Sequence, residues 1–306
     1  MRDLLQRAYD EAIKLADQGE VADYIPELAK EDKTVAGVSI INKDGEIFEA
    51  GDVEKTFSIQ SVAKVITYLL VLENIDEEKI NKTIGVKPTA LPFNSIIDVE
   101  LGGGKPRNPL VNAGAMAATG LLYEKFKEDT FDVIFNKIKE LAGNENIVVS
   151  EDIYKSERDS AYNNRAIMNM MVARGILSDE LPVDEVANIY FRYCSALVSA
   201  RDLARISSVL SNDGLDVVTN ERKFDESLGR KVRTVMAMGG MYDYSGEFAL
   251  RVGVPAKSGV GGGIITASKE GLGIATYCPG LDEFGNSLVG VRMLEIISEE
   301  LNLSIY

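Results

Sequence analysis

The sequence predicts an α+β fold: an antiparallel sheet flanked by terminal helices, joined to a mostly helical lobe. Three observations carry this. Stretches rich in Val and Ile, broken by glycine turns, lie near both ends of the chain, at residues 35–52 and 248–280. The segment from Asn112 to about 238 keeps a helical period almost throughout. Both ends of the chain are amphipathic with helical spacing. Strands from the two ends can therefore share one sheet. That gives a discontinuous lobe of residues 1–60 and 246–306, a helical lobe of 61–245, and a site in the cleft between them.

Taken in order, "MRDLLQRAYDEAIKLADQGE" interleaves charges with apolar positions and reads as an amphipathic helix. A signal peptide needs an uninterrupted apolar stretch instead. "VADYIPELAKED" is a turn-rich link. "VAGVSIINKDGEIFEAGD" reads as two strands with Asp44-Gly45 at the hairpin turn. From residue 61 to about 73, Val62, Val65, Ile66, Leu69 and Leu70 form one apolar stripe of a helix. Residues 83–111 carry four prolines and the triplet Gly102-Gly103-Gly104, and read as a long loop. Helices follow, with Gly143 and Gly214 placed as C-terminal caps. "FALRVGVPAKSGVGGGIITASKEGLGIATYCPG" reads as three strands, the one after Pro255 at a sheet edge. "SLVGVRMLEIISEELN" closes the chain as an amphipathic helix.

Composition removes several function classes. The 306 residues carry a formal charge of −15 and no basic cluster, which argues against nucleic acid as a partner. No apolar run approaches the roughly 20 residues of a membrane span. The two cysteines, Cys194 and Cys278, form no metal-binding spacing and no disulfide framework, so a cytoplasmic protein is expected. There is no histidine at all. A Ser-His-Asp or Cys-His arrangement is excluded within this chain, and a zinc hydrolase loses its usual ligand. Lys, Tyr, Asp or Glu must move any protons.

The chemistry-bearing pattern starts with "FSIQSVAK", residues 57–64. Ser61 and Lys64 stand three apart at a helix start and share a face. A hydroxyl needs a base to become a nucleophile, and a desolvated lysine can be that base. Alone, the pair reads first as a helix cap and a surface lysine. "AKSGVGGG" places Lys257-Ser258-Gly259 on the edge strand, or is a plain glycine-rich hairpin. Together, Ser-x-x-Lys on an early helix and Lys-Ser-Gly on a late strand follow the logic of penicillin-recognising serine enzymes. Asn108 and Asn112 in "KPRNPLVNAGAM" are helix caps or polar binding groups. Glu157 and Asn164 in "YKSERDSAYNNRA", about two helical turns apart, can face one side and would suit an ammonium and a carboxamide. Tyr24, Tyr190 and Tyr242 are core or site residues, and Tyr242 lies where the helical lobe returns to the sheet.

With "VADYIPELA", "KPRNPLVNAGA", "YKSE", "NNRA", "YFRYCS", "GGMYDYSG", "VPAKSGVGGGI" and "GNSLVG" in this order, the chain resembles the serine-dependent glutaminases, a family with the β-lactamase-like fold. The likeness runs from residue 21 to 290. Val62-Ala63 stands where many members carry Ile-Ser, and neither side chain shares the Ser61–Lys64 face. The sequence shows neither the long N-terminal extension nor the ankyrin repeats of animal members, so the bacterial or archaeal type is expected. The resemblance implies hydrolysis of L-glutamine to L-glutamate and ammonia with no metal or organic cofactor, in a homodimer or homotetramer. It implies Ser61 as nucleophile and Lys64 as its partner, with Tyr242 and Lys257 assisting proton transfer. Tyr24, Asn112, Glu157, Asn164, Tyr190 and Tyr242 would line the substrate site. The N–H groups of Ser61 and Val260 would form the oxyanion hole. The alternatives are a β-lactam or peptide hydrolase of the same fold and a non-catalytic glutamine sensor.

Overall fold

A computed structural model describes residues 1–306. Helix α1 (Arg2–Ala12) leads to the hairpin β1 (Gly37–Ile41) and β2 (Ile47–Gly51). The short β3 (Phe57–Ser58) and a 3-10 turn at Gln60–Val62 open α2 (Ala63–Asn74). Then come α3 (Glu77–Thr83), α4 (Ile96–Leu101), α5 (Asn112–Phe126), α6 (Thr130–Ala142), α7 (Glu151–Ser160), α8 (Tyr162–Ala173) and α9 (Val183–Cys194). β4 (Leu197–Val198) pairs back onto β3, and α10 (Ala200–Ser211) follows. The small pair β5 (Leu215–Asp216) and β6 (Glu221–Arg222) precedes α11 (Glu226–Gly239) and α12 (Ser245–Arg251). The chain finishes with β7 (Ala256–Ser258), β8 (Gly263–Ala267), β9 (Gly273–Tyr277) and α13 (Leu288–Leu301).

The five longer strands make one antiparallel sheet in the order β2-β1-β9-β8-β7, so the two chain ends meet at the β1–β9 pair. Period-2 alternation gives the sheet two apolar faces. Val38, Ile40, Ile264 and Ile274 pack against Leu5, Ala8 and Ala12 of α1 and Met293, Leu294 and Ile297 of α13. On the other face, Ile41, Ile265, Ala275 and Tyr277 join the larger core of the helical segment. α10 lies directly on this face, where the Ser207 hydroxyl accepts a hydrogen bond from Ile274 N–H at 2.9 Å. Its N-terminus is held by a capping box between Ser199 and Asp202. A helix from the middle of the sequence thus forms one layer of the sheet sandwich.

The Asp44-Gly45 hairpin is present, with Gly45 at φ +79° and the Asn42 carboxamide accepting the Asp44 and Glu46 N–H groups. β7 is an edge strand, as Pro255 led us to expect. Four readings change. The loop at 83–111 contains α4, because the Ser95 hydroxyl caps it by accepting from Asp98 N–H at 3.2 Å. The "FALR" stretch is helical, in α12, and not a strand. Glu157 and Asn164 sit on two helices, since the chain breaks between α7 and α8 at Ala161. And α2 has no polar face: every residue from Ala63 to Val71 is buried, Lys64 included. "VITYLLVL" is apolar all round, which is the pattern of a helix running through a core.

Candidate active site

The site lies where α2, α5, α7, α8 and α9 meet the edge of the sheet. Ser61 sits in the 3-10 turn that starts α2, and Gln60 before it holds φ at +47°. Across from it, Tyr242 sits at φ +59°. Non-glycine residues rarely occupy this left-handed region, and such strain concentrates at functional sites. The end of β7 comes close to Ser61 because residue 259 is glycine: a Cβ there would stand 2.9 Å from Ile59 O and 3.2 Å from Ser61 N. The tight turn after it bonds Gly259 N–H to Gly263 O and Gly262 N–H to Gly259 O, both at 2.9 Å. Neither Ser61 N–H nor Val260 N–H donates to any backbone acceptor.

Lys64 is fully buried, and its Nζ donates to Asn112 Oδ1 at 2.6 Å. It makes no hydrogen bond to Ser61; the Ser61 hydroxyl instead faces the Tyr242 phenol. Asn112 Oδ1 also accepts from the Tyr190 hydroxyl at 3.3 Å, and Asn112 Nδ2 donates to Asn164 Oδ1 at 3.0 Å. So Asn112 is no cap. Val111 is the N-cap residue of α5, which frees the carboxamide for this network. Asn108 is the local-turn residue, accepting from Leu110 and Val111 N–H, and it takes no part in the cavity.

Ser61, Asn112, Asn164 and Tyr190 line a cavity of about 180 Å³ together with Tyr24, Gln60, Phe93, Glu157 and Val260, while Lys64 and Tyr242 lie behind this lining. Half of the Tyr24 surface, 53%, is open to solvent. Its hydroxyl nevertheless lies in the cavity near Tyr242 and Glu157, where burial raises its pKa. Gln60 and Phe93 were not singled out from the sequence. The Gln60 amide lies against the Glu157 carboxylate. Phe93 packs on the Tyr242 ring, tilted by 37° with 4.7 Å between centroids, and its centroid lies 5.9 Å from Lys64 Nζ.

The electrostatics follow from burial. Desolvation lowers the Lys64 pKa to about 8, and nearby Glu157 offsets part of that effect. Desolvation raises Glu157 to about 7, with the Gln60 amide and the Lys64 charge pulling it back. Tyr242 is pushed above the ordinary phenol value by burial, opposed by its contacts with Ser61 and Ser258. The Tyr242 hydroxyl donates to Ser258 O at 3.3 Å. Lys257 is also fully buried; its Nζ lies 3.8 Å from the Tyr242 ring centroid and donates to Ser258 O. Its pKa falls well below that of a free lysine, through desolvation first and Lys64 second. Chemically, the cavity offers a hydroxyl beside a lysine able to lose its proton near neutrality, two free N–H donors, and a carboxylate ready to ionise when a cation arrives. No group of His, Cys, Asp and Glu is placed to hold a metal ion.

Comparison with known proteins agrees with this chemistry. The glutaminase family model matches residues 19–306. The chain is similar to the glutaminase of Clostridium tetani (strain Massachusetts / E88), with 41% identity over the full length of both chains. It superposes on a solved structure named probable glutaminase ybaS with a TM-score of 0.93 and 36% identity, over 100% of this chain and 99% of the other. A probable glutaminase from Bacillus subtilis, complexed with 6-diazo-5-oxo-L-norleucine, gives a TM-score of 0.89 and 29% identity over 100% and 97% of the two chains.

Proposed function

The chain belongs to the glutaminase family and shares its β-lactamase-like fold, and we propose that it hydrolyses L-glutamine through an acyl-enzyme on Ser61. The observation that carries the mechanism is the Lys64 amine: fully buried, one turn from Ser61, with a pKa lowered to about 8. Tyr242 has the opposite character, because its raised pKa keeps the phenol protonated. Lys64 is therefore the base and Tyr242 the proton donor.

Glutamine enters with its ammonium at Glu157, which ionises in response, and its amino-acid end against Asn112, Asn164, Tyr190 and Tyr24. The neutral Lys64 amine, oriented by Asn112, takes the Ser61 proton as Oγ attacks the side-chain amide carbon. The oxyanion forms beside the free N–H groups of Ser61 and Val260; one such donor is typically worth about 3–4 kcal/mol. The departing nitrogen takes a proton through Tyr242, which recovers one from Lys64, and ammonia leaves. Water then attacks the γ-glutamyl ester with Lys64 as base, and glutamate is released as Ser61 regains its proton. Lys257 holds the Tyr242 ring and the Ser258 carbonyl in place. A cavity of about 180 Å³ suits an amino acid better than a bicyclic β-lactam, since drug-sized pockets start near ~300 Å³.

In this reading residues 1–60 and 246–306 act as one wall of the cleft and 61–245 as the other. The enzyme works in the cytoplasm as a homodimer or homotetramer, a reading supported by two buried free cysteines and by the family likeness. Sedimentation of the purified chain tests the assembly. The Ser61→Ala protein tests the mechanism: it is expected to bind glutamine and release no ammonia. Near-normal turnover by it would sink the nucleophile assignment.

A further inference from the structure

A second cavity, of about 610 Å³, lies between α2, α3 and α11. Its floor is apolar: Tyr68 and Leu72 from α2, Ile75 just past its end, Ile80 from α3, and Val235 from α11. Val86 and Met238 are exposed at its edge, at 59% and 46%. The charges are segregated. Asp76 and Glu77 stand on the α3 side, Arg230 and Lys231 on the α11 side. Lys231 is neutralised by Glu77 at 3.0 Å, while Arg230 makes no ion pair. A groove of this size, apolar with a few convergent polar groups, has the make-up of a small-molecule site.

Each wall of the groove leads to the active site. α2 carries Lys64 one turn before Tyr68. α11 ends at Gly239, three residues before Tyr242. Its end is pressed onto β7: a Cβ on Gly240 would stand 1.7 Å from Ala256 O, and Ser258 N–H donates to Gly240 O at 3.3 Å. Val86 lies in the segment bonded to the far side of the Phe93 loop, through Gly85 N–H to Pro106 O and Lys87 N–H to Arg107 O. A body wedged between α2 and α11 changes the spacing of Lys64 and Tyr242, whose Nζ-to-ring distance is 5.9 Å.

We propose that this groove is an effector site for a small organic carboxylate with a flat or branched apolar body. The carboxylate meets Arg230 at the rim, repelled from the α3 side by Asp76 and Glu77. The body lies on Leu72, Ile75, Ile80 and Val235. Occupancy shifts the α2–α11 spacing and so alters affinity at the glutamine site. This goes beyond the glutaminase reading and is tested by binding, independently of turnover.

The probe is 2-naphthoate, with neutral 2-naphthamide as control, titrated into the full chain by calorimetry with and without saturating L-glutamate. Saturable naphthoate binding is expected, with a reciprocal change of about fivefold or more in glutamate affinity. Arg230→Glu should weaken naphthoate about tenfold, the loss of one charge-assisted hydrogen bond. Thr234→Trp, which fills the groove from α11, should abolish binding; Arg230→Glu, at the rim, should keep basal glutaminase activity. The idea is overturned if naphthoate binds both variants as well as the parent, if the amide binds equally well, or if binding leaves glutamate affinity unchanged. It is also overturned if binding weakens as the chain self-associates and Thr234→Trp breaks that association, since the groove is then covered by a second copy.

Discussion

Lys64 and Lys257 are both fully buried and both face the Tyr242 ring, yet the two walls of the cleft treat them differently. On the α2 wall, Lys64 has a side-chain network: Asn112, which also serves Tyr190 and Asn164, and the Glu157 carboxylate nearby. On the β7 wall, Lys257 has a single carbonyl and an aromatic face. Desolvation lowers the Lys64 pKa to about 8, with Cys194 and Glu157 pulling it back up, and it pushes Lys257 well below a free lysine, with repulsion from Lys64 adding to the fall. Lys257 packs on the Tyr242 ring and donates to Ser258 O, which holds that side of the site in place.

The largest expected effect that separates them is on rate. Lys64→Met should lower kcat by about 10³-fold or more, within the range for losing a general base, and Lys64→Arg should do no better because arginine stays charged. Lys257→Met should cost a smaller factor, roughly 10–100-fold, through loss of Tyr242 positioning. Equal losses in steady-state assays would erase the distinction.

The next effect is on stability. Glu157 has a folded pKa raised to about 7 against 4.5 unfolded. A raised carboxyl pKa means the folded state holds the extra proton, so stability present at low pH is lost as pH climbs toward and through 7. Glu157→Gln should therefore be more stable than the parent at pH 8 by up to about 3 kcal/mol, and no more stable at pH 4. Denaturant melts at both pH values check this, and a variant less stable at pH 8 contradicts it. Loss of glutamine binding is expected in the same protein.

The smallest effect is a pH profile. If neutral Lys64 is the base, kcat/KM should rise with pH through an acid limb near 8. If burial keeps Lys257 uncharged, that limb should stay put in Lys257→Met. Movement of the limb in that variant would show that Lys257 carries charge.

Much of the site was legible because its residues announce themselves by type and order: Ser61, Lys64, Asn112, Glu157, Asn164, Tyr190 and Tyr242 line or border one cleft. What escaped depends on long-range context. Gln60 carries no signal for a left-handed backbone, which tertiary packing imposes. Phe93 reaches Tyr242 only because the segment around Pro92 and Pro106 folds back, with Asn112 N–H bonded to Phe93 O at 2.9 Å. α12 was missed because a run of three apolar residues, Phe248 to Leu250, has no readable period. The break at Ala161 lies at neither Gly nor Pro, so Glu157 and Asn164 read as one helix. The one-sided stripe assigned to α2 overlooked that its remaining positions, Lys64 and Thr67 included, are buried too. The hairpin at Asp44-Gly45, the edge strand after Pro255 and the terminal helix rest on local turn chemistry and periodicity, and these came through.

The central claim is that a γ-glutamyl ester on Ser61 lies on the path to glutamate. The direct measurement is partitioning with hydroxylamine, comparing glutamine with a γ-glutamyl ester as substrate. A common acyl-enzyme should give the same ratio of γ-glutamyl hydroxamate to glutamate from both, with neither product formed by Ser61→Ala. A ratio that depends on the leaving group would contradict it, because water and hydroxylamine would then be attacking the substrate itself.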